Sequence, residues 1–168
     1  MTGKDVDPQA LAERSAQALY ASDHASQALL GMRIVAIAPQ AASVTMAVRA
    51  DMCNGHGTCH GGLIFALVDS AFAFACNSGG EQTVAASCQI DFLAAAHQGE
   101  QLTASVRELW RGGRSGIYEG LVTNQDGTRI ALFRGRSHRI GERRARGAAH
   151  AATHAAAHGA PHGGQDPP

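Results

Sequence analysis

The chain has 168 residues, which is the size of one domain and leaves no room for two complete folding units. Its 14 Lys and Arg residues balance its 14 Asp and Glu residues, so no overall electrostatic field attracts nucleic acid or an anionic membrane. Because its 4 cysteines accompany no apolar leader segment, we expect free thiols and a cytoplasmic location.

The N-terminal part of the chain predicts helix followed by two strands. Residues 8–30 are rich in Ala, Leu, Gln and Glu, which favours one or two amphipathic helices that end at Gly31. Strand-like patterns follow at residues 33–38 and 43–50, and Pro39 marks the turn between them. A helical segment and a strand pair therefore precede the most apolar part of the chain.

The most apolar run, residues 63–76, predicts a buried helix. It is shorter than the roughly 18 residues of a membrane span and carries Asp69 at its middle. Such a helix needs cover on most of its circumference, which a single curved antiparallel sheet provides. Strand-like segments follow at residues 82–93, 100–110, 116–124 and 128–140. We therefore predict an α+β hotdog fold, a curved antiparallel sheet wrapped around a central buried helix.

Asp69 is the exception in this helix, because the positions around it are almost all apolar. An unpaired buried carboxylate is expensive, so a simple explanation is a solvated stripe, or a bond to Ser70 or to the backbone. The alternative, which we favour, is a partly desolvated carboxylate at a cleft or subunit boundary. Desolvation would make it a stronger base or nucleophile than a carboxylate in water.

A glycine-rich loop, residues 54–62, leads directly into the N-terminus of the helix. Unpaired backbone N–H groups at this end favour an oxyanion, and Gly61 and Gly62 have no Cβ to hinder a substrate carbonyl. An ordinary flexible loop would have a similar composition. Gly61 and Asp69 are separated by about 12 Å along a helix axis. One chain can hardly focus both on one carbonyl, which suggests a dimer.

The same part of the chain has four residues of metal-ligand type within eight positions, namely Cys53, His56, Cys59 and His60. They are packed more densely than the usual zinc spacing, and no second cluster completes a site, so we predict no metal. A Cys–His nucleophilic pair is conceivable, but no third orienting group is evident.

Two basic segments suit phosphate contacts. Residues 111–116 join two strands and combine two cations with a permissive backbone, although a solvated hairpin tip has the same composition. Residues 134–139 alternate cations along the last strand and face either phosphates or water.

Four segments resemble the PaaI thioesterases of phenylacetate degradation: residues 52–56, residues 60–78, residues 90–93 and residues 132–141. The similarity extends from about residue 12 to residue 141. It implies a hotdog protomer that dimerises through a continuous sheet, pairs again into a homotetramer, and hydrolyses phenylacetyl-CoA-type thioesters between subunits. CoA is then part of the substrate, and no separate cofactor, nucleic acid or membrane partner is implied.

The resemblance also implies roles for individual residues. Asp69 would be the nucleophile or general base, and the Gly61 backbone N–H would polarise the thioester carbonyl. Asn54 would place the attacking water or the carboxylate, His60 would orient the thioester, and Ser87 would lie near the water. CoA phosphates would be bound by Arg111, Gly113, Arg114 and Arg139. Residue identity leaves open whether Asp69 forms an anhydride or activates water.

Two other functions remain as alternatives. A non-catalytic acyl-CoA sensor would use the same pocket, although Asp69 argues against it. A hotdog hydratase or dehydratase needs a group that moves a proton from carbon, and no separate His and carboxylate pair suits that task.

Three regions result from these observations. We predict a helical segment of the domain in residues 1–30, the hotdog thioesterase domain in residues 31–141, and a disordered tail in residues 142–168. The tail is rich in His, Ala and Gly and cannot bury enough apolar surface to offset its ordering entropy. Its histidines recur every fourth residue, which predicts adventitious metal affinity at most.

Overall fold

A computed structural model describes residues 6–141, in which two α-helices and six strands follow the predicted order. The helices are α1 (Pro8–Ala21) and α2 (Gly61–Asn77). The strands are β1 (Arg33–Ala38), β2 (Ala41–Ala47), β3 (Thr83–Phe92), β4 (Gln101–Gly112), β5 (Ser115–Thr123) and β6 (Arg129–Arg139). No helix in this part of the chain is long and apolar enough to cross a membrane. The predicted tail, residues 142–168, lies outside the described residues.

The predicted boundaries differ from the observed ones chiefly around β2. That strand ends at Ala47 rather than at residue 50, and a short 3-10 turn (Ala50–Met52) follows it. The N-terminal segment contains α1 and a π-helical turn (Ala25–Leu29), after which Gly31 adopts a positive φ of 63°. Asp7 caps α1, and Pro8 occupies its first turn, where its missing N–H costs nothing.

The strands form one antiparallel sheet in the order β1-β2-β4-β5-β6-β3. The β1 edge is partly covered, because α1 packs against it and the Gln9 side chain donates to the Ile37 carbonyl at 2.8 Å. Strand β3, ten residues long, pairs with β6 on one side and has no partner strand on its other side in the described chain. Unpaired N–H and C=O groups along such an edge can pair with another strand.

Helix α2 lies against the inner face of the sheet and contacts every strand. Phe72 is 1% exposed, and its ring centroid lies 5.1 Å from that of Tyr118 and 5.5 Å from that of Phe133. A Cβ at Gly120 would come within 2.9 Å of Val68, so this glycine lets β5 approach the helix closely. The predicted hotdog architecture is confirmed, with the apolar helix enclosed by the sheet.

The end of α2 determines where β3 begins. The Asn77 side chain accepts from the Thr83 N–H at 3.0 Å and donates to the Thr83 carbonyl at 2.9 Å. Buried Ser78 accepts from the Gln40 N–H at 2.8 Å, which ties the helix end to the β1–β2 turn. These bonds hold β3 against the side of α2 that carries Asp69.

Candidate active site

Asp69 lies half-buried on the side of α2 that faces β3. Desolvation raises the pKa of its carboxyl above the usual range, and a hydrogen bond from Cys88 opposes that rise. No cation is within ion-pair distance of it in residues 6–141, and neither Ser70 nor a backbone group there bonds to it. The carboxylate is therefore a poorly solvated anion without a neutralising partner in the described chain.

The side chain that contacts Asp69 is one that sequence reasoning missed. The Cys88 thiol donates to Asp69 Oδ1 across 3.9 Å, a long and weak hydrogen bond. Burial, together with the neighbouring carboxylate, raises the pKa of the Cys88 thiol to about 11, so the thiol keeps its proton. A cysteine on the first strand after the helix was the only signal in the sequence, and it does not reveal which face of the strand the thiol occupies.

The structure does not bring Ser87 to Asp69 within one chain. Ser87 pairs with Arg136, whose side chain is exposed, so it lies on the outer face of the sheet. A bulge between Ala85 and Ser87 adds one residue to β3 and shifts the alternation of faces beyond it. Cys88 therefore points towards the helix, and Ser87 lies exposed on the other face of β3.

The Asn54 side chain closes the loop before α2. Its Oδ1 accepts from the backbone N–H of His56 at 2.9 Å and of Thr58 at 3.3 Å. Its Nδ2 donates to Thr58 Oγ1 at 3.1 Å. Asn54 thus shapes the loop with its carbonyl oxygen and keeps a second Nδ2–H outside these bonds.

At the start of α2, Gly61 has the only first-turn N–H without an acceptor in the described chain. His60 caps the helix, since its Nδ1 accepts from the Gly62 N–H at 3.3 Å, and its carbonyl accepts the next two N–H groups. Neutral His60 therefore carries its proton on Nε2. A Cβ at Gly61 would lie 3.0 Å from the Phe92 ring, so the glycine lets Phe92 of β3 pack closely against the start of α2.

The free N–H and the carboxylate are far apart in one chain. Gly61 is the first residue of α2 and Asp69 the ninth, which corresponds to about 12 Å along the axis. Both lie near β3, the open edge of the sheet. A single chain therefore presents two halves of a site rather than one assembled centre.

The Cys and His residues before the helix do not form a ligand set. Among residues 6–141, no group of three or more His, Cys, Asp or Glu side chains is placed to hold a metal ion. Cys59 is buried, His56 is exposed, and His60 uses Nδ1 in the helix cap. The predicted metal affinity of the tail concerns residues outside the described range.

Two of the cations predicted to bind phosphate already have carboxylate partners. Arg111 donates to Glu108 at 2.8 Å, to Glu81 at 3.2 Å and to the Tyr118 hydroxyl at 3.1 Å. Arg139 donates to the other oxygen of Glu81 at 2.7 Å. Glu81 therefore bridges two strands, and together with Glu108 it neutralises both cations. Sequence reasoning missed this network because its members are up to 58 residues apart.

Arg114 is different, because it forms no ion pair within residues 6–141. Its Nε donates to the Arg139 carbonyl at 3.0 Å, and its side chain is exposed at the β4–β5 turn. Gly113 supplies the turn with a φ of 57°, a conformation that favours glycine. The turn therefore presents one cation without a carboxylate partner in the described chain.

Comparison with known proteins gives consistent matches. Residues 56–131 match the family model described as Thioesterase superfamily. Acyl-coenzyme A thioesterase PaaI of Escherichia coli K12 is 46% identical over 128 residues, covering 76% of this chain and 91% of that protein. The family match thus includes most of the loop before α2, the whole of α2 and strands β3 to β5.

Solved structures agree with the sequence matches. The structure of the E. coli PaaI protein from the phenylacetic acid degradation operon superposes with a TM-score of 0.79 at 44% identity, covering 82% of this chain and 99% of that one. A Streptococcus mutans protein bound to acetyl-CoA has a TM-score of 0.65 at 26% identity, covering 67% of this chain and 91% of that one.

Proposed function

This chain belongs to the thioesterase superfamily, as a relative of PaaI, and from that premise we propose that it hydrolyses phenylacetyl-CoA and hydroxyphenylacetyl-CoA to the free acid and CoA. The observation that carries the proposal is Asp69, a half-buried carboxylate without a cation beside it in the described chain. Partial burial of such a carboxylate costs the fold stability, and carboxylates with a pKa perturbed in this way cluster at functional sites. The E. coli relative is named for acyl-CoA hydrolysis.

In the proposed mechanism Asp69 supplies the attack on the thioester. A poorly solvated carboxylate either removes a proton from water or attacks the carbonyl itself. The first route forms the carbon–oxygen bond directly with water. The second forms a mixed anhydride that water then opens. In both routes the carbon–sulfur bond breaks, and the thiolate of CoA leaves and is protonated.

The Gly61 N–H is proposed to stabilise the developing oxyanion. No hydrogen bond within the described chain has to break first, because this N–H has no acceptor there. It also lies at the N-terminus of α2, the positive end of the helix dipole. His60 would orient the thioester through Nε2–H, while Asn54 would hold the loop and offer its remaining Nδ2–H to the water. Ser87 is exposed on the outer face of β3, so its proposed role near the water would be taken in the site between subunits.

A dimer through β3 is proposed to assemble the two halves. The β3 edge is open, and Phe92 beside Gly61 is 51% exposed. Pairing of two β3 strands would continue the sheet and bring the Gly61 loop of one chain towards Asp69 of the other. The active site would then lie between subunits, which the 12 Å separation in one chain requires.

The outer face of the sheet is proposed to pair two dimers into a tetramer. It carries a groove of about 910 Å³, lined in part by Leu121 and exposed Leu132. The Arg107–Glu119 ion pair also borders it. The groove includes neither Asp69 nor Gly61, so it is separate from the proposed reaction centre.

For CoA, Arg114 is the proposed phosphate contact, with the Gly113 backbone beside it. Arg111 and Arg139 would act indirectly, since their bonds to Glu81 hold the turn that presents Arg114. CoA enters only as part of the substrate.

The test is release of free thiol from phenylacetyl-CoA, hydroxyphenylacetyl-CoA and a straight-chain acyl-CoA. We expect the two aryl thioesters to be hydrolysed with the higher kcat/KM. Tight binding of every thioester with no thiol released would indicate an acyl-CoA sensor. A changed acyl group with the thioester intact would indicate a hydratase. Either outcome would reject the proposed hydrolysis.

Cys88 gives a prediction about pH. Its thiol stabilises the charged form of Asp69, so Cys88→Ala should raise the pKa of Asp69 further. The reaction uses the carboxylate, so the acid limb of the kcat/KM profile should move to higher pH. Cys88→Ser keeps a donor and is the matched control, with a limb close to wild type. An unmoved limb in Cys88→Ala would show that the thiol does not act on Asp69.

A further inference from the structure

Cys53 and Cys59 flank the loop before α2, and both are free thiols. They are Cα partners in an isolated antiparallel bridge. Residues directly opposite each other in such a bridge project to the same side. Two thiols separated by five residues in sequence are therefore brought face to face by the fold.

The backbone hydrogen bonds around the two cysteines show whether they form a hydrogen-bonded or a non-hydrogen-bonded pair of the antiparallel bridge. The Asn54 N–H donates to the Thr58 carbonyl at 2.8 Å, and the His60 N–H donates to the Met52 carbonyl at 2.8 Å. The cysteines lie between these bonds and exchange none themselves, so they form a non-hydrogen-bonded pair. Cα atoms of such pairs are about 4.5 Å apart, within the 4.4–6.8 Å that disulfides span.

The two thiols differ in access. Cys53 is half-buried and reachable from solvent, whereas Cys59 is 4% exposed. Burial raises the pKa of the Cys59 thiol, and the nearby Cys53 thiol raises it further, as does Glu100. Each sulfur has only a weak carbonyl contact, at 3.7 Å from Arg49 and 3.9 Å from His60 respectively. No stronger hydrogen bond in the described chain fixes either sulfur in place, so the two sulfur atoms can move together at low cost.

We propose that Cys53 and Cys59 are a modification site that a small disulfide, such as oxidised glutathione, converts into an intramolecular disulfide. The Cys53 thiolate attacks the reagent and releases one glutathione, leaving a mixed disulfide. The Cys59 thiolate then attacks the Cys53 sulfur and releases the second glutathione. Two electrons pass from the protein to the reagent, and the two protons end on the two glutathione thiols.

The consequence for activity rests on the proposed function. The disulfide would enclose residues 54–58, including Asn54, and the next residues are His60 and Gly61. Cys59 would have to turn its sulfur away from the His60 carbonyl, the group that begins the hydrogen bonding of α2. A small displacement of Gly61 misdirects the oxyanion donor, so we expect kcat/KM to fall about tenfold or more.

The experiment treats the full-length protein with oxidised glutathione and follows intact mass and thioester hydrolysis together. Wild type should lose two hydrogen atoms, give a Cys53–Cys59 peptide on digestion, and recover activity with dithiothreitol. Cys53→Ser should show neither the link nor the inactivation and should match reduced wild type beforehand. Cys76→Ser, which changes a buried cysteine within α2 and away from the loop, should still form the link.

The outcomes separate the two proposals. Absence of the Cys53–Cys59 link would overturn the modification site whatever the activity. If the Cys53–Cys59 disulfide forms and kcat/KM is unchanged, the proposed effect of the disulfide on hydrolysis is wrong. If reduced wild type hydrolyses no thioester, the proposed function fails, while the mass measurement still decides whether the disulfide forms.

Discussion

Asp69→Asn is expected to lower thiol release from phenylacetyl-CoA by about a hundredfold or more, because removing a general base or nucleophile has this effect. The amide has the same shape as the carboxylate but cannot accept a proton from water or attack a carbonyl. The loss should fall mainly on kcat, since Asp69 acts on the reacting atoms rather than on CoA. Steady-state kinetics with a thiol reagent would measure it.

Two controls show that the loss is chemical. Asp69→Asn should keep the assembly state and the affinity for CoA of wild type, because it removes a poorly solvated charge and leaves the packing of α2 intact. Asp126→Asn, in the exposed β5–β6 turn, should keep the wild-type rate. Activity of Asp69→Asn within tenfold of wild type would remove Asp69 from the mechanism.

Gly61→Pro is expected to lower kcat by about 10²–10³, the usual effect of deleting one oxyanion donor. Proline has no N–H, and the first residue of a helix tolerates it because that N–H makes no intrahelical bond. The preceding His60 is already extended, with φ −63° and ψ 128°, as a residue before proline prefers. Helix α2 should therefore form with the donor removed.

Gly61→Ala is the matched control, because it adds a Cβ but keeps the N–H. That Cβ would lie 3.0 Å from Phe92, whose ring is half exposed and can move aside. We expect Ala to reduce kcat much less than Pro, with similar thermal unfolding for both. Equal losses in the two variants would mean that space near Phe92, and not the N–H, controls the reaction.

The fold was predictable because its signals are local. The apolar run of α2 indicated a helix that needs cover all round, and the glycines after residue 77 indicated its end. The predicted strands after the helix match β3 to β6 within about two residues. Strand β2 was predicted to run to residue 50, whereas it ends at Ala47; the Val48 N–H makes one more bond, to the Glu100 carbonyl, before the 3-10 turn at Ala50–Met52.

The partners of the site residues were not predictable in the same way. The bulge in β3 shifts its alternation by one residue, so Cys88 rather than Ser87 faces Asp69. No local pattern marks that bulge. Likewise, Glu81 meets Arg111 and Arg139 only because β3, β4 and β6 converge at one end of the sheet.

The sequence by itself determined the element order, the buried helix with one carboxylate, and the resemblance that the family match confirms. These features depend on periodicity and on short motifs, which can be read within a single segment of the sequence. Only the tertiary structure decided that Arg111 and Arg139 are neutralised, that Gly61 keeps a free N–H, and that Cys53 opposes Cys59. These features depend on distances between segments that are far apart in sequence. Strand register, bulges and sheet curvature determine those distances, and composition does not encode them.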